Sequence, residues 1–224
     1  MKKSFCNAFT LAEVMITLVV LGILAAILMP VVKNLYPDKQ MVMFRKAYYV
    51  AERMVYELVN DENFYPSKEG KYGLDNVIAV SYMGKSFGDS SSETSEAAKS
   101  KFCGLFAEKV NVSDYDAVDC ATAHTPTLNG GSASTPAFTT TDGVAWYMPI
   151  SDFITDTPTT FSRSIYVDVN GDLAPNCQYD KLSPSTCPKP DVFEIKLRPD
   201  GKIFVDGDKE KEYLKHNSSV QSGT

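Results

Sequence analysis

The stretch from Val14 to Val32, VMITLVVLGILAAILMPVV, holds 19 residues without a formal charge. At 1.5 Å per residue a helix of this length spans roughly 28 Å, close to the hydrocarbon thickness of a bilayer. A cleaved secretory signal fits less well, because its apolar core usually runs to about 7 to 15 residues and ends in a small-x-small site. A buried core helix would not account for Lys2 and Lys3 in front of the run, nor for its N-terminal position.

The remaining length is enough for one ordinary globular domain plus this appendage. A formal charge of −6 and a pI near 5.0 argue against a protein that tracks nucleic-acid phosphates, which would carry a basic stripe. No such stripe appears after residue 53. Without Lys2 and Lys3 the chain would hold 20 basic against 28 acidic residues, a polarity that suits export with the positive end left inside. Of the five cysteines, Cys6 lies upstream of the apolar run, which leaves an even set of Cys103, Cys120, Cys177 and Cys187. Their spacing resembles no CxxC metal knuckle, and the only histidines are His124 and His216. Two disulfides in an oxidising compartment are the better reading. Of three connectivities the sequential one, Cys103 with Cys120 and Cys177 with Cys187, closes the shortest loops.

Glu13 sits at the edge of the apolar run, where an unpaired charge is costly: about 2.5 to 3.5 kcal/mol at mid-bilayer on insertion scales, less near the surface. A cation is needed, and a cut at Ala8–Phe9 would create one as a free α-amino group. A solvated carboxylate favoured by the helix dipole is the simpler alternative. The basic leader Met1 to Ala8, the FTLAE of Phe9 to Glu13 and the apolar run with Gly22 and Pro30 together resemble the type IV pilins and the pseudopilins of type II secretion. The resemblance implies cleavage between Ala8 and Phe9 by a prepilin peptidase, N-methylation of Phe9, and a meeting of Glu13 with the N-terminal amine of another subunit during polymerisation. Ala8 stands where the family usually has glycine. Lipid, an inner-membrane assembly platform and other pilin subunits are the implied partners, in a homo- or hetero-polymer; no nucleic acid is.

Helical periodicity continues past the membrane segment through Met41, Phe44, Tyr48, Ala51, Val55, Leu58 and Val59. We therefore expect one long helix from about Phe9 to Asn60, bent or opened at Pro30 and Pro37. A second helix is expected from about Glu93 to Lys109. Short aromatic and β-branched runs follow (VAWYMPI, SIYVDV, VFEIKLR and KIFVDG), the last two joined by a tight turn at Arg198 to Lys202. The expected fold is α+β: a long N-terminal helix, half membrane-spanning and half amphipathic, packed on a small antiparallel sheet of three or four strands in a pilin-like head. The boundaries expected are a leader at 1–8, a membrane and polymerisation helix at 9–32, its amphipathic half at 33–60 and a disulfide-bonded head at 61–224.

The acidic stretch Asp168 to Asn176 fails the EF-hand pattern, with Gly171 fourth and Tyr179 twelfth. It looks like a turn found in bacterial pilin-like heads, in which Asp191 and Phe193 would match a following Gly-x-Asp-x-Phe. Some pseudopilins hold a structural calcium in a carboxyl-rich loop of the head, and by that resemblance Asp168, Asn170, Asp172 and Asp191 are candidate ligands. The alternative is a turn whose Asp and Asn side chains cap backbone amides. Catalysis finds little support, since a nucleophilic centre would have to use His124 in a Thr/Pro-rich loop or His216 in a polar tail. The sequence thus reads as a filament subunit of a pilus or secretion pseudopilus. It would be single-pass in a bacterial inner membrane with its head extracytoplasmic, and a membrane-anchored binding domain that never polymerises is the rival.

Overall fold

The computed structural model describes residues 10–35, 38–67, 70, 73–89, 91, 95–122, 124–126, 128, 135–148, 153, 162–171, 173–179 and 185–215. The chain divides into two compact units, Met1–Lys39 and Gln40–Thr224.

In the first unit helix α1 spans Leu11–Leu35 and runs through Pro30. Its segment Leu11–Met29 has a mean hydropathy of 2.7 and is nowhere buried. No face of it is polar, so its whole circumference needs an apolar surround, either lipid or other helices. The second helix, α2, spans Lys39–Asn60, and Asp38 between the two is not helical. The single helix expected over Phe9 to Asn60 is therefore two helical segments. Pro37 supplies the reason: it has no amide hydrogen for Lys33, and it disfavours helical geometry in the residue before it.

In the second unit α2 presents Met41, Phe44, Ala47, Ala51, Val55 and Leu58 as its buried seam, with Tyr48 and Val59 at the half-buried margin. A five-stranded antiparallel sheet is built from β3 (Phe138–Thr139), β4 (Ala145–Tyr147), β5 (Arg163–Asp168), β6 (Val192–Leu197) and β7 (Ile203–Phe204). These strands pair in chain order, and β5 and β6 match Ile165 with Ile195 and Val167 with Phe193. All four side chains are fully buried. The Phe44 ring lies 4.4 Å from that of Phe193, so α2 packs directly on β6. The sheet has one strand more than expected because β3 is only two residues long, too short for an alternating pattern to show. The turn after β6 is as expected: Arg198 N donates to Lys202 O at 2.9 Å and Gly201 takes a φ of 82°.

Helix α3 covers Glu96–Lys109, with Ser95 capping its start by accepting from Ala98 N at 3.1 Å. Phe102, Leu105 and Phe106 of α3 are buried, and the Phe106 ring lies 5.3 Å from Trp146 of β4. Lys101 of α3 is also buried. Its ammonium donates to the carbonyls of Asn76 (3.1 Å) and Ile78 (2.8 Å) and lies 4.2 Å from the centre of the Tyr65 ring. Burial brings its pKa down to about 8. This cation pins the segment leading into an unexpected hairpin, β1 (Val80–Tyr82) with β2 (Lys85–Phe87). The turn is Met83–Gly84, both at positive φ, where glycine fits freely and methionine does not.

A short helix α4 (Asp208–Lys215) was likewise not expected. Strand β7 pairs with β6 only at Lys196 and Leu197, which leaves the edge of β6 beyond them open. Glu210 of α4 covers it, accepting from Glu194 N at 3.4 Å. Arg45 of α2 donates to the Tyr213 carbonyl, and the Tyr213 ring lies 5.7 Å from Phe193. The Glu210 carboxylate packs so closely on Gly207 that a Cβ there would collide with it.

Burial raises the Glu210 pKa above the usual carboxylate value. A raised folded pKa means that the group's contribution is fully present below its unfolded pKa and is lost as pH rises through the folded one. Glu210→Gln keeps an acceptor without the charge. Its stability relative to the native chain should therefore rise between pH 4 and pH 7, measured by denaturant unfolding in detergent micelles.

Candidate processing and assembly segment

At the start of α1, Thr10 and Glu13 satisfy each other. Thr10 N and Thr10 Oγ1 both donate to Glu13 Oε2 at 2.9 Å, and Glu13 N donates to Thr10 Oγ1 at 3.3 Å. This is a capping box, in which a helix-start hydroxyl and a carboxylate three residues on exchange backbone donors. The Thr-x-x-Glu spacing of Thr10 and Glu13 in the sequence is the signal for it. Glu13 therefore has partners within its own chain, and both residues are exposed. Those partners are neutral, so the negative charge itself stays open to a cation. Ala8 and Phe9, the expected cleavage and methylation positions, lie outside the described residues.

The four distal cysteines form two disulfides, Cys103 with Cys120 and Cys177 with Cys187. The first ties α3 to the loop before β3; the second closes the segment between β5 and β6. Next to that second closure sits Asp191, fully buried, whose two carboxylate oxygens accept from Asn176 N (2.9 Å) and Cys177 N (2.7 Å). Asp168, buried at the end of β5, accepts from Asn170 N at 3.1 Å. Both carboxylates thus cap backbone amides. Asp172 lies outside the described residues, and the Asn170 side-chain oxygen is enclosed without a hydrogen-bond partner among them. Among the described residues no group of three or more His, Cys, Asp or Glu side chains is placed to share one ion.

His124 is buried, with Nδ1 2.7 Å from Thr135 O and Nε2 3.3 Å from both Thr122 Oγ1 and an Asp119 carboxylate oxygen. These partners all belong to the connection between α3 and β3. His216 lies outside the described residues.

Residues 3–29 match the model of the prokaryotic N-terminal methylation motif, the signal motif of type IV pilins and pseudopilins. No curated protein and no solved structure matches the chain. The matched segment contains the leader from Lys3 onward, the Thr10–Glu13 capping box and the apolar helix as far as Met29. The match is to the signal motif of prepilin-like precursors, proteins that serve as structural subunits. The matched segment ends before the head begins.

The loop around Asp191 should depend on its carboxylate. Asp191→Ala leaves one buried and one half-buried amide without acceptors and should cost about 2 to 4 kcal/mol. Asp191→Asn, which keeps one acceptor, should cost less. If capping alone shapes the loop, melting curves with EDTA and with added calcium should coincide.

Proposed function

We propose that this chain is a structural subunit of a type IV pilus or a type II secretion pseudopilus. A prepilin peptidase cuts it at Ala8–Phe9, and it is stored as a single-pass protein of the bacterial inner membrane with its head outside the cytoplasm. It is then drawn into a filament by an assembly platform. The observation that carries this reading is the motif match at residues 3–29, with Glu13 at the start of a helix whose exposed segment from Val14 to Met29 carries no charge. An apolar helix without a polar face can exchange lipid for other such helices at little cost, because both surrounds are equally apolar. Direction must come from something polar, and the Glu13 charge is the polar group placed to give it. Cleavage makes the complementary cation, the amine of Phe9, which an adjacent subunit can bring to Glu13.

A membrane-anchored binding domain that never polymerises is the second reading, and the capping box favours it to one extent: Glu13 then needs no partner beyond Thr10. The two readings part on substitution. Glu13→Gln can still accept from Thr10 but carries no charge, whereas Thr10→Val removes the hydroxyl and keeps the charge. For a subunit, Glu13→Gln should abolish incorporation into filaments while membrane insertion stays normal. Thr10→Val should cost only the order of 1 kcal/mol of helix-start stability. Equal, mild effects from both, read by shearing and quantifying filaments, would assign the residue to capping alone.

Processing is read separately by mass spectrometry of the native protein. The mature chain should begin at a methylated Phe9, and any other start would sink the cleavage assignment. Ala8→Gly should be processed at least as fast as the native chain.

A further inference from the structure

The chain leaves the body of the head at Val77 and returns to the same point at Asp89. Asp89 N donates to Val77 O at 2.8 Å, which closes a strap that contains the β1–β2 hairpin. Of residues 77–89 only Val77 is buried, so little apolar area holds the strap down. A two-stranded hairpin is marginal by itself, and this one turns through Met83 at a φ of 47°, which a side chain adopts at a cost. Its fastenings are few. The Phe87 ring lies against Gly104 of α3, where a Cβ would stand 2.8 Å from it, and Tyr82 meets Phe64 edge-on at 5.1 Å. Lys85 pairs with Glu108, but 57% of the Lys85 side chain is exposed, and an ion pair so open to water contributes little.

Under the strap lies Lys101. Its ammonium is bonded to the Asn76 and Ile78 carbonyls and covered by the Tyr65 ring, and among the described residues no carboxylate lies within ion-pair reach of it. Gly88 of the returning arm closes the niche: a Cβ there would stand 2.9 Å from Lys101 Cδ and 2.5 Å from Val77 O. The other titratable groups packed around it can be named. Tyr65 is kept neutral by burial, which raises its pKa. Asp75 is buried in the segment before the strap, and Lys99 lines the same small cavity as Lys101. Lys109 lies 4.5 Å from the centre of the Phe64 ring and 5.7 Å from that of Tyr82, and reaches Glu57 at 3.5 Å. A buried charge whose partners are neutral gives up its hydration without an opposite charge in return. The hydrogen bonds fix where the ammonium sits, while its charge favours any state in which water reaches it.

We propose that residues 77–89 form a lid that lifts from α3 to let water reach the Lys101 ammonium, so that the protonated lysine holds the closed lid close to opening. The proton fixes the sign of the effect. Burial lowers the Lys101 pKa to about 8, well below the usual lysine value. Below about 8 the lysine is charged whether the lid is closed or open, and opening does not depend on pH. Above it the open lid binds a proton that the closed lid does not. Each further pH unit then makes opening about tenfold rarer, until the usual lysine value is reached. The neighbouring cations act in the opposite direction: loss of charge from Lys85 or Lys109 weakens a fastening and frees the lid.

The test reads trypsin cleavage after Lys85 in the full-length chain in detergent micelles, scaled at each pH to cleavage of a free peptide of residues 77–89. The scaled rate should be flat from about pH 6 to pH 7.5 and fall at least about tenfold by pH 9.5. Lys101→Met, which has no charge, and Lys101→Arg, which is charged throughout, should both remove the fall. Cleavage after Lys196 of the central strand β6 should lag at least about tenfold behind cleavage after Lys85, because the lid opens without the sheet. A native rate that stays constant or rises with pH would overturn the lid, and this profile needs neither variant to fold. An undiminished fall in Lys101→Met would assign the proton to another group and equally overturn it. Equal rates at Lys85 and Lys196 would mean that the whole head unfolds, with no separate lid.

Discussion

The head depends on a helix packing across a sheet at one aromatic contact, Phe44 of α2 on Phe193 of β6. Everything else is arranged around that seam. Fully burying a phenylalanine contributes about 1.5 to 3 kcal/mol over leaving it exposed, and both rings here are fully buried. Tyr213 of α4 closes on the same pair, and Arg45 of α2 holds the Tyr213 backbone, so the C-terminal helix is fastened to the element that begins the head. Removal of α4 would bare the edge of β6 at Glu194, where a backbone N–H would lose its acceptor and become available to another strand.

Much of this was legible because the apolar spacing of α2 is regular and its seam long. Met41, Phe44, Ala51, Val55 and Leu58 declare a helix face whatever lies opposite. Strands β5 and β6 are six residues each and rich in β-branched and aromatic residues, so they too could be read. The pieces that escaped lack a period of their own. Strand β3 has two residues, and the β1–β2 hairpin has three per strand around a Met83–Gly84 turn instead of Asn–Gly. Helix α4 reads as DKEKEYLK, which has too few apolar residues to announce a helix; Tyr213 and the buried Glu210 acquire their roles only from the sheet they meet. Lys101 is a further case, since nothing in a sequence distinguishes a lysine that will cover an aromatic ring from one that will face water.

In the N-terminal segment the chemistry is plain from the sequence, while the local geometry is set by a Thr-x-x-Glu capping box. As a charge beside an apolar run Glu13 calls for a cation, and Thr10 supplies it with two neutral donors. These facts are compatible because hydrogen bonds from neutral groups and an ion pair use different oxygen lone pairs. A carboxylate has about four acceptor sites, and Thr10 engages one oxygen, Oε2. Oε1 takes no part in that box. The capping box acts as orientation: it fixes the carboxylate at the helix start within the single chain.

That orientation matters energetically. A flexible carboxylate would lose rotamer freedom at the moment of pairing, a cost of about 0.5 to 1.5 kcal/mol for a side chain with as many rotatable bonds as glutamate. Thr10 has already met that cost within the monomer. The gain from an ion pair near the membrane surface is itself modest, so a prepaid fraction of this size bears on whether pairing is favourable at all. The same logic runs through the head, where the Cys103–Cys120 disulfide and the hydrogen bonds of Ser113 and Tyr115 hold the exposed Asp114–Asp116 segment in shape. In both places a charge that lies exposed in the single chain is held in a fixed position by neutral groups, which keeps the charge available while removing the entropic cost of using it.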